Sequence, residues 1–484
     1  MPGRRLHTPA PAPAELRADF ERIRQQFGVE VGFPKEVEEA AALAAARPPG
    51  DGRGDLRAVE FFTVDPPGSL DLDQAMQLER RDGGYRVRYA IADIGHFVDR
   101  GGPIEAEAWR RGQTVYCPDL RAPLYPLPLS EGAASLLPEL DRPAIVFTID
   151  LDGAGAQAAP ANVERALVRS RRKLDYAGLA AAGAGLLEEI GHLREAAETA
   201  RGGVRLDSPR QAVVGDGDGG FQLRWDRRIP VEDWNAQISL LAGSAAASIM
   251  LQARVGLLRT MGGIDDYRLA VLRRTAKALE VPWPEDLDYP GFIRSLDPAE
   301  PRQAALLEEA HGVMGHAGYS AFDGEPPPQP VHAALAMPYA HTTAPMRRLA
   351  DRYVLDLLCE LCTGARPSGE ELETLRRLPD TMSDTSARIA QLERAVVDDV
   401  EARLLEPRAG ERFPASVVEL DHRGARIQIV DPPVRARLHV DPPPPLGARI
   451  EVELVRADPA SHSLQFALVS GNPVREPDTA RRMS

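Results

Sequence analysis

The stretch Asp65-Pro-Pro-Gly-Ser-Leu-Asp71-Leu-Asp73-Gln74-Ala75 places three carboxylates within nine residues, behind a Pro-Pro-Gly-Ser turn. Such a turn bends the backbone, so the three side chains can point towards one place. Hard divalent cations take several oxygen ligands, and carboxylates that repel one another become favourable neighbours once an ion binds between them. The pattern therefore predicts a cation site, although a solvated acidic turn is the alternative if this stretch is taken alone.

Composition sets limits on the class of protein. The chain has 484 residues, of which 43% are hydrophobic and 27% charged, and this is typical of a globular protein with several domains. A net charge of -14 argues against general attraction to polyanions, so nucleic acid would need a locally basic channel. Three cysteines cannot form a disulfide framework, and Cys359-Glu-Leu-Cys362 lacks the second pair a zinc site needs. No apolar run reaches the roughly 18 residues of a membrane helix, so we expect a cytoplasmic protein without a membrane partner.

Strand patterns surround the acidic stretch. Residues 59–64 precede it, and residues 85–94 follow it after an Asp-Gly-Gly turn. Asp93 falls on the apolar face of the second pattern, where an unpaired carboxylate is costly. Asp93 is therefore predicted either to join the metal site or to accept backbone hydrogen bonds.

Helices are predicted where apolar residues recur at three- and four-residue spacing. The segments are 14–46, 103–111, 183–201, about 232–259, a helix beginning at the capping box of Ser368, and a long helix after Ser383. Residues 1–13 are poor in large apolar side chains and are predicted to be a disordered tail.

A helix start is predicted within residues 339–351, because Thr-Thr-Ala-Pro contains residues typical of helix N-termini. Arg347 and Arg348 would then lie in the first turn, where their charge opposes the helix dipole unless an anion binds there. A phosphate ligand would resolve this conflict, and a salt bridge from Arg347 to Asp351 is the alternative.

Short alternating strands follow Gly410, at residues 413–420, 425–430, 436–440, 449–455 and 463–469. Five strands of this length predict a small closed barrel of the oligonucleotide-binding (OB) type. Four arginines would make part of it basic, namely Arg423, Arg426, Arg435 and Arg437. A purely structural β-cap is the alternative.

Several motifs occur in one order along the chain: Asp65-Pro-Pro-x-x-x-Asp71-x-Asp73, Tyr89-Ala-Ile-Ala-Asp93, Tyr116-x-Pro, Pro126-Leu-Pro, Ser170-x-x-Lys-Leu-x-Tyr176 and Tyr339-x-His-x-Thr-x-Pro-x-Arg347-Arg348. Together they resemble the RNB catalytic domain of the RNase II/RNase R family. The resemblance implies an α+β fold, in which a mixed sheet packed with helices is followed by a small S1-type OB barrel.

The domain boundaries expected from this resemblance are a tail and short helical segment at 1–50, the RNB catalytic domain at 51–405, the S1-like barrel at 406–470 and a disordered tail at 471–484. The family's two N-terminal cold-shock barrels have no counterpart in the first 50 residues, so the chain is expected to be a short form.

The resemblance further implies a hydrolytic 3′-to-5′ exoribonuclease that degrades single-stranded RNA to nucleoside 5′-monophosphates with one or two Mg²⁺ ions. The implied metal ligands are Asp65, Asp71, Asp73 and Gln74. The implied catalytic residues are Asp73, Arg347 and Glu393. The implied RNA contacts are Tyr116, which would stack on a base, and Tyr339, His341, Thr343 and Arg348. We expect a monomer, and the sequence does not indicate which proteins it binds.

Several positions differ from the family's usual residues. Gln74 stands where the family has the second of two adjacent aspartates, so the predicted site carries one negative charge less, which should weaken a second ion most. Ala90 replaces a histidine, and Ala344 and Leu349 replace a serine and a tyrosine around Arg347. Three interpretations follow: a working enzyme of a divergent branch, a slow enzyme, or an RNA-binding protein whose catalysis has been lost.

Overall fold

The computed structural model describes residues 5–6, 14–50, 52–206, 210–215, 221–226, 228–421, 424–429, 431–459 and 461–469. The predicted tail at 471–484 and the predicted basic residue Arg423 lie outside the described residues.

Helices occupy much of the described chain. They are α1 (Ala14–Gln26), α2 (Lys35–Ala45), α3 (Pro103–Arg111), α4 (Tyr176–Ala182), α5 (Leu186–Ala200), α6 (Pro230–Ala253), α7 (Asp266–Ala278), α8 (Tyr289–Ser295), α9 (Pro301–Ala310), α10 (Leu349–Cys362) and α11 (Gly369–Leu405). A π-helical turn spans Pro128–Ala133.

The strands are β1 (Arg5–Leu6), β2 (Gly54–Asp55), β3 (Phe61–Val64), β4 (Gln74–Arg81), β5 (Gly84–Ala92), β6 (Val115–Tyr116), β7 (Arg121–Ala122), β8 (Asp141–Asp152), β9 (Asn162–Leu174), β10 (Arg210–Gly215), β11 (Phe221–Asp226), β12 (Val255–Met261), β13 (Ala317–Asp323), β14 (Val331–His332), β15 (Met337–Pro338), β16 (Arg412–Asp421), β17 (Gly424–Ile429), β18 (Val434–Leu438), β19 (Arg449–Asp458) and β20 (Ser463–Leu468).

The main sheet is mixed, as predicted. Its order is β2-β9-β3-β4-β5-β8, and β8 also pairs with β9, which closes five of the strands into a ring. β9 runs parallel to β2 and β3, whereas β4, β5 and β8 are joined by antiparallel pairings. The α+β class is thereby confirmed, with the acidic stretch lying between β3 and β4 at one edge of the ring.

The five C-terminal strands form the predicted closed barrel, in the order β16-β17-β18-β20-β19. The predicted basic surface is partly neutralised, because Arg426 pairs with Glu419 at 2.6 Å and Arg435 pairs with Glu308 of α9 at 3.2 Å. The second pair is largely buried and fastens the barrel to α9.

Helix α6 differs from its prediction in length. The predicted segment 232–259 combines two elements, because the helix ends at Ala253 and β12 follows. Arg254 ends the helix by adopting a left-handed backbone conformation, with φ of +59°, and β12 then pairs along its whole length with β13.

Contrary to the sequence expectation, α6 is long and apolar enough to cross a membrane by length and composition, but half of the apolar window is buried inside the protein. A buried core helix passes the same test.

Three further predictions of local structure need correction. The segment 14–46 forms two helices, since Gly28 turns the chain with φ of +63°. The two helices predicted after Ser368 and Ser383 are one helix, α11, which continues through Pro379 because residues on both sides of it are buried. The predicted tail at 1–13 contains strand β1, which pairs in parallel with β10.

Candidate active site

Three aspartates meet where β3 ends and β4 begins. Asp65 directly follows β3, and Asp71 and Asp73 directly precede β4, so neighbouring strands bring the three carboxylates to one edge of the sheet. Burial, together with the charge of Asp71, raises the pKa of Asp65 to about 6. Burial likewise raises the pKa of Asp73 to about 7, again with a contribution from Asp71. The carboxylates are therefore within electrostatic reach of one another.

Asp73 and Asp71 each have a compensating neighbour. Asp73 is only 5% exposed, accepts a hydrogen bond from the Met346 backbone N–H at 2.8 Å, and lies 3.6 Å from Nε of Arg347. Asp71 forms an ion pair with Arg121 at 2.7 Å. These contacts place positive charge beside the acidic cluster.

The side chains of the acidic cluster can be assessed as ligands for a metal ion. Within the described residues, no group of three or more His, Cys, Asp and Glu side chains is placed to hold a metal ion directly. The carboxylates instead point to Arg121, Met346 and Arg347. Their chemistry nonetheless fits a hard cation, because the donors are carboxylate oxygens and burial disfavours the ionised forms of Asp65 and Asp73 unless positive charge lies close by. Asp71 would have to turn away from Arg121 to join such a site.

Gln74 has a different environment from the three aspartates. Its Oε1 accepts a hydrogen bond from the Tyr89 hydroxyl at 2.8 Å, and its Nε2 donates to the backbone oxygen of Thr343. The amide thus joins β5 to the segment that leads into α10. Its role as a metal ligand stays a prediction, and the structure gives it a clear part in holding two elements together.

Tyr116 lies beside the acidic cluster. Burial raises the pKa of its phenol to about 12, and the charges of Arg347, Asp71 and Asp73 all act on that phenol. Two backbone hydrogen bonds hold its hairpin against the Arg347 segment: Thr114 N–H donates to Arg347 O at 3.1 Å, and Leu349 N–H donates to Gly112 O at 3.0 Å. The structure therefore brings together the aromatic, the arginine and the aspartates that the sequence places far apart.

The two arginines have separate roles. Helix α10 begins at Leu349, so Arg347 and Arg348 precede it, and the prediction that they occupy its first turn is wrong. Asp351 is the charged residue of that turn, where its negative charge suits the helix dipole. It pairs with Arg348 at 2.8 Å, so the alternative of an Arg347–Asp351 bridge is not observed. Arg347 faces Asp73 instead, and its side chain remains 44% exposed.

Tyr339, His341 and Thr343 form a layer in the interior. Tyr339 packs so closely on α6 that a Cβ at Gly243 would lie 2.1 Å from its ring. His341 Nδ1 is 2.6 Å from the Tyr319 hydroxyl, and burial holds its pKa well below the usual value. Thr343 is buried, and its backbone oxygen accepts a hydrogen bond from the side-chain amide of Gln74. These positions support the site, and direct RNA contact by them stays a prediction.

Glu393 lies on α11 behind the Tyr116 hairpin. Its charge acts on the Cys117 thiol, whose pKa burial raises to about 11. The structure thus places Glu393 within electrostatic reach of the residue that follows Tyr116, and its catalytic role stays a prediction.

In the described part of the chain, the side chain of Asp93 neither joins the aspartate cluster nor accepts backbone hydrogen bonds, the two roles that the sequence suggested. It is buried, and it pairs with Arg53 at 2.8 Å and with Arg165 at 3.5 Å. The two arginines compensate its burial, so Asp93 serves the sheet rather than the metal site.

The sequence analysis did not identify two positively charged side chains near the aspartates. Arg121 lies opposite Tyr116 in the β6–β7 hairpin and binds Asp71. Lys173, at the end of β9, lowers the pKa of Asp65 by its charge and donates to Ser69 O at 2.5 Å. Lys173 falls inside a quoted motif and could have been found there, whereas a pair of two-residue strands leaves no pattern that would reveal Arg121.

Comparison with known proteins agrees with this architecture. The model of the RNB domain matches residues 53–364, and the model of the RNase II-type exonuclease C-terminal S1 domain matches residues 411–469. The chain therefore belongs to the RNB family.

Relatives and solved structures support the same grouping. Ribonuclease R 1 of Lactococcus lactis is 24% identical over 448 residues, which are 82% of this chain and 52% of that protein. Exoribonuclease 2 of Cronobacter sakazakii is 26% identical over 411 residues, which are 78% of this chain and 61% of that protein. The chain thus spans about half the length of the curated relatives it matches. The structure of Mycoplasma genitalium RNase R with ribose-methylated single-stranded RNA has a TM-score of 0.85 at 20% identity and covers 94% of this chain and 78% of that one. Yeast Ssd1, described as a pseudonuclease, has a TM-score of 0.68 at 16% identity and covers 90% and 57%.

The role of Gln74 can be tested by its replacement with alanine. We expect Gln74→Ala to lower the free energy of unfolding by about 1–3 kcal/mol, because a buried carbonyl loses its partner. Gln77→Ala is a matched control on the same strand, since Arg88 keeps its contact with Glu79 when Gln77 is removed. Urea denaturation measures both, and an equal loss in the two variants would contradict a linking role for Gln74.

Proposed function

We propose that this protein is a 3′-to-5′ exoribonuclease that hydrolyses single-stranded RNA to nucleoside 5′-monophosphates with Mg²⁺. The observation that carries the proposal is the convergence of Asp65, Asp71 and Asp73 with Arg347 and Tyr116 at one edge of the main sheet. Membership of the RNB family, and the names ribonuclease R and exoribonuclease 2 borne by relatives, support it.

Each residue has a part in the proposed reaction. Asp65, Asp71 and Asp73 would hold the ion, which lowers the pKa of water and stabilises negative charge on phosphate when bound. Arg347 is the arginine of this group that reaches solvent, so it can bind the scissile phosphate as charge builds up on it. Tyr116 can stack on a base near the reacting end, a contact worth about 1–3 kcal/mol.

Burial of the acidic cluster supports action on a chain end. Asp73 is nearly inaccessible, and Asp65 and Asp71 are only partly exposed. We therefore expect the end of a single strand, rather than a duplex, to enter the site. We also propose a cytoplasmic location, in line with the free thiols of Cys117, Cys359 and Cys362.

Replacement of Asp73 separates catalysis from binding. Asp73→Asn keeps an acceptor for the Met346 N–H but removes the charge, so we expect nucleotide release to fall by roughly 100-fold. Affinity for single-stranded RNA should stay within about twofold, because affinity depends mainly on phosphate contacts. Asp150→Asn, which removes a carboxylate paired with Arg86 elsewhere on the sheet, is the control and should keep full activity.

A parallel loss of RNA affinity in Asp73→Asn would show that the residue is structural. Nucleotide release by Asp73→Asn at the wild-type rate would show that Asp73 is not catalytic, whereas absence of release by the wild-type protein would favour the interpretation of the protein as an RNA-binding module.

The stacking role of Tyr116 predicts a change in the end product. A shorter RNA makes fewer contacts and depends more on each one, so Tyr116→Ala should leave a longer undigested oligonucleotide. Gel analysis of end-labelled RNA measures this length. Tyr267→Ala removes a tyrosine that is 75% exposed on α7 and should leave the product unchanged. An unchanged product in Tyr116→Ala would rule out the stacking role.

A further inference from the structure

A buried ion pair joins helix α1 to the hairpin that carries Tyr116. Nη1 of Arg24, in the last turn of α1, lies 2.7 Å from Oδ1 of Asp119, in the turn between β6 and β7. The side chains are only 6% and 4% exposed. Removing two charges from water is expensive, so such a pair is weak evidence for stability and better evidence for a required geometry.

The hairpin is fastened on both sides. On one side, the bond from Thr114 N–H to Arg347 O fixes the residue before its first strand to the Arg347 segment. On the other side, Arg24 holds its turn through Asp119 and also lies close enough to Cys117 to act on that thiol. The ring of Tyr116 therefore sits between two anchored points.

Helix α1 is itself a fixed support. Phe20 and Ile23 are buried in the same apolar cluster as Val115 and Cys117 of the hairpin region. Asp19 of α1 forms an ion pair with Arg403 of α11. A displacement of α1 would thus disturb a packed core, so the position of Arg24 is determined by more than its own contact.

We propose that α1 is part of the RNA-binding site, and that Arg24 is a positioning residue that acts through Asp119 to hold the ring of Tyr116 in place. Helix α1 lies outside both segments matched by the family models, which cover residues 53–364 and 411–469. The inference rests on the proposed function, because it takes Tyr116 as the residue that stacks on RNA.

The physical reason for this role of Arg24 is the cost of burying an unpaired charge. Without the guanidinium, the Asp119 carboxylate is buried without its partner, and the turn gains stability by moving the carboxylate towards water. Since Tyr116 is three residues before Asp119 on the same hairpin, that movement displaces the ring. The Arg347 segment keeps its own contact with Asp73.

The test is a double-mutant cycle on the affinity of the full chain for a single-stranded oligoribonucleotide. Arg24→Met and Tyr116→Ala should each weaken binding by about tenfold, within the range of one base stack. The double variant should bind no more weakly than Tyr116→Ala, because the ring through which Arg24 acts is already gone. Arg24→Lys, which restores the charge, should recover most of the affinity.

Catalytic measurements give a second readout. Arg24→Met should raise KM by about tenfold, keep kcat within about twofold, and lengthen the undigested product as Tyr116→Ala does. Glu308→Gln removes one charge from another largely buried ion pair, between α9 and the barrel, and is the matched control for a general loss of stability. It should lower the melting temperature without lengthening the product.

Two results would overturn the inference. Additive losses of affinity in the double variant would show that Arg24 does not act through Tyr116. A product of unchanged length, with the melting temperature lowered as in Glu308→Gln, would show that the pair is only structural. Failure of the wild-type protein to release nucleotides would contradict the proposed function instead, and the binding cycle would still decide the role of Arg24.

Discussion

Burial of the Asp65 and Asp73 carboxylates beside the charge of Asp71 is the constraint on which the rest of the site depends. Three carboxylates at one edge of the main sheet, one of them almost inaccessible, are unfavourable unless positive charge lies close by. The chain supplies that charge from separate elements, with Arg121 on a hairpin and Arg347 before α10. A bound cation would supply the remainder. The fold therefore brings distant segments to this edge and does not leave the acidic stretch as an isolated turn.

The supporting structure is built around that edge. Gln74 ties β4 to Thr343, and the segment after Thr343 carries the Met346 N–H and Arg347 to Asp73. The Tyr116 hairpin is bound to the same segment through backbone hydrogen bonds, so its ring and the arginine keep a fixed separation. Helix α1 and α11 close the hairpin from behind.

Local sequence was sufficient for much of this architecture. The strands beside the acidic stretch and the five barrel strands follow from alternation, and α3 was predicted with its observed bounds. The capping box of Ser368 is present, with reciprocal bonds to Glu371. The aspartates, Tyr116 and Arg347 could be chosen because they belong to motifs, and the structure brings them to one place.

What escaped sequence reasoning depends on contacts between distant residues. Arg24 and Asp119 are separated by 95 positions, and no local pattern links them. The sequence left open whether Arg347 would bind a phosphate or pair with Asp351, but Asp351 pairs with Arg348, a choice that only the start of α10 at Leu349 determines. The end of α6 depended on one left-handed residue, Arg254, inside an apolar run. Propensity alone cannot show where tertiary pairing overrides a continuing helix.

The most direct test of the central claim is the fate of a 5′-labelled single-stranded RNA incubated with the wild-type protein, first with Mg²⁺ and then with excess EDTA. If the central claim is correct, the RNA is shortened stepwise from the 3′ end with release of nucleoside 5′-monophosphates in Mg²⁺, and stays intact in EDTA. RNA that is bound by the protein but stays full-length under both conditions would contradict it.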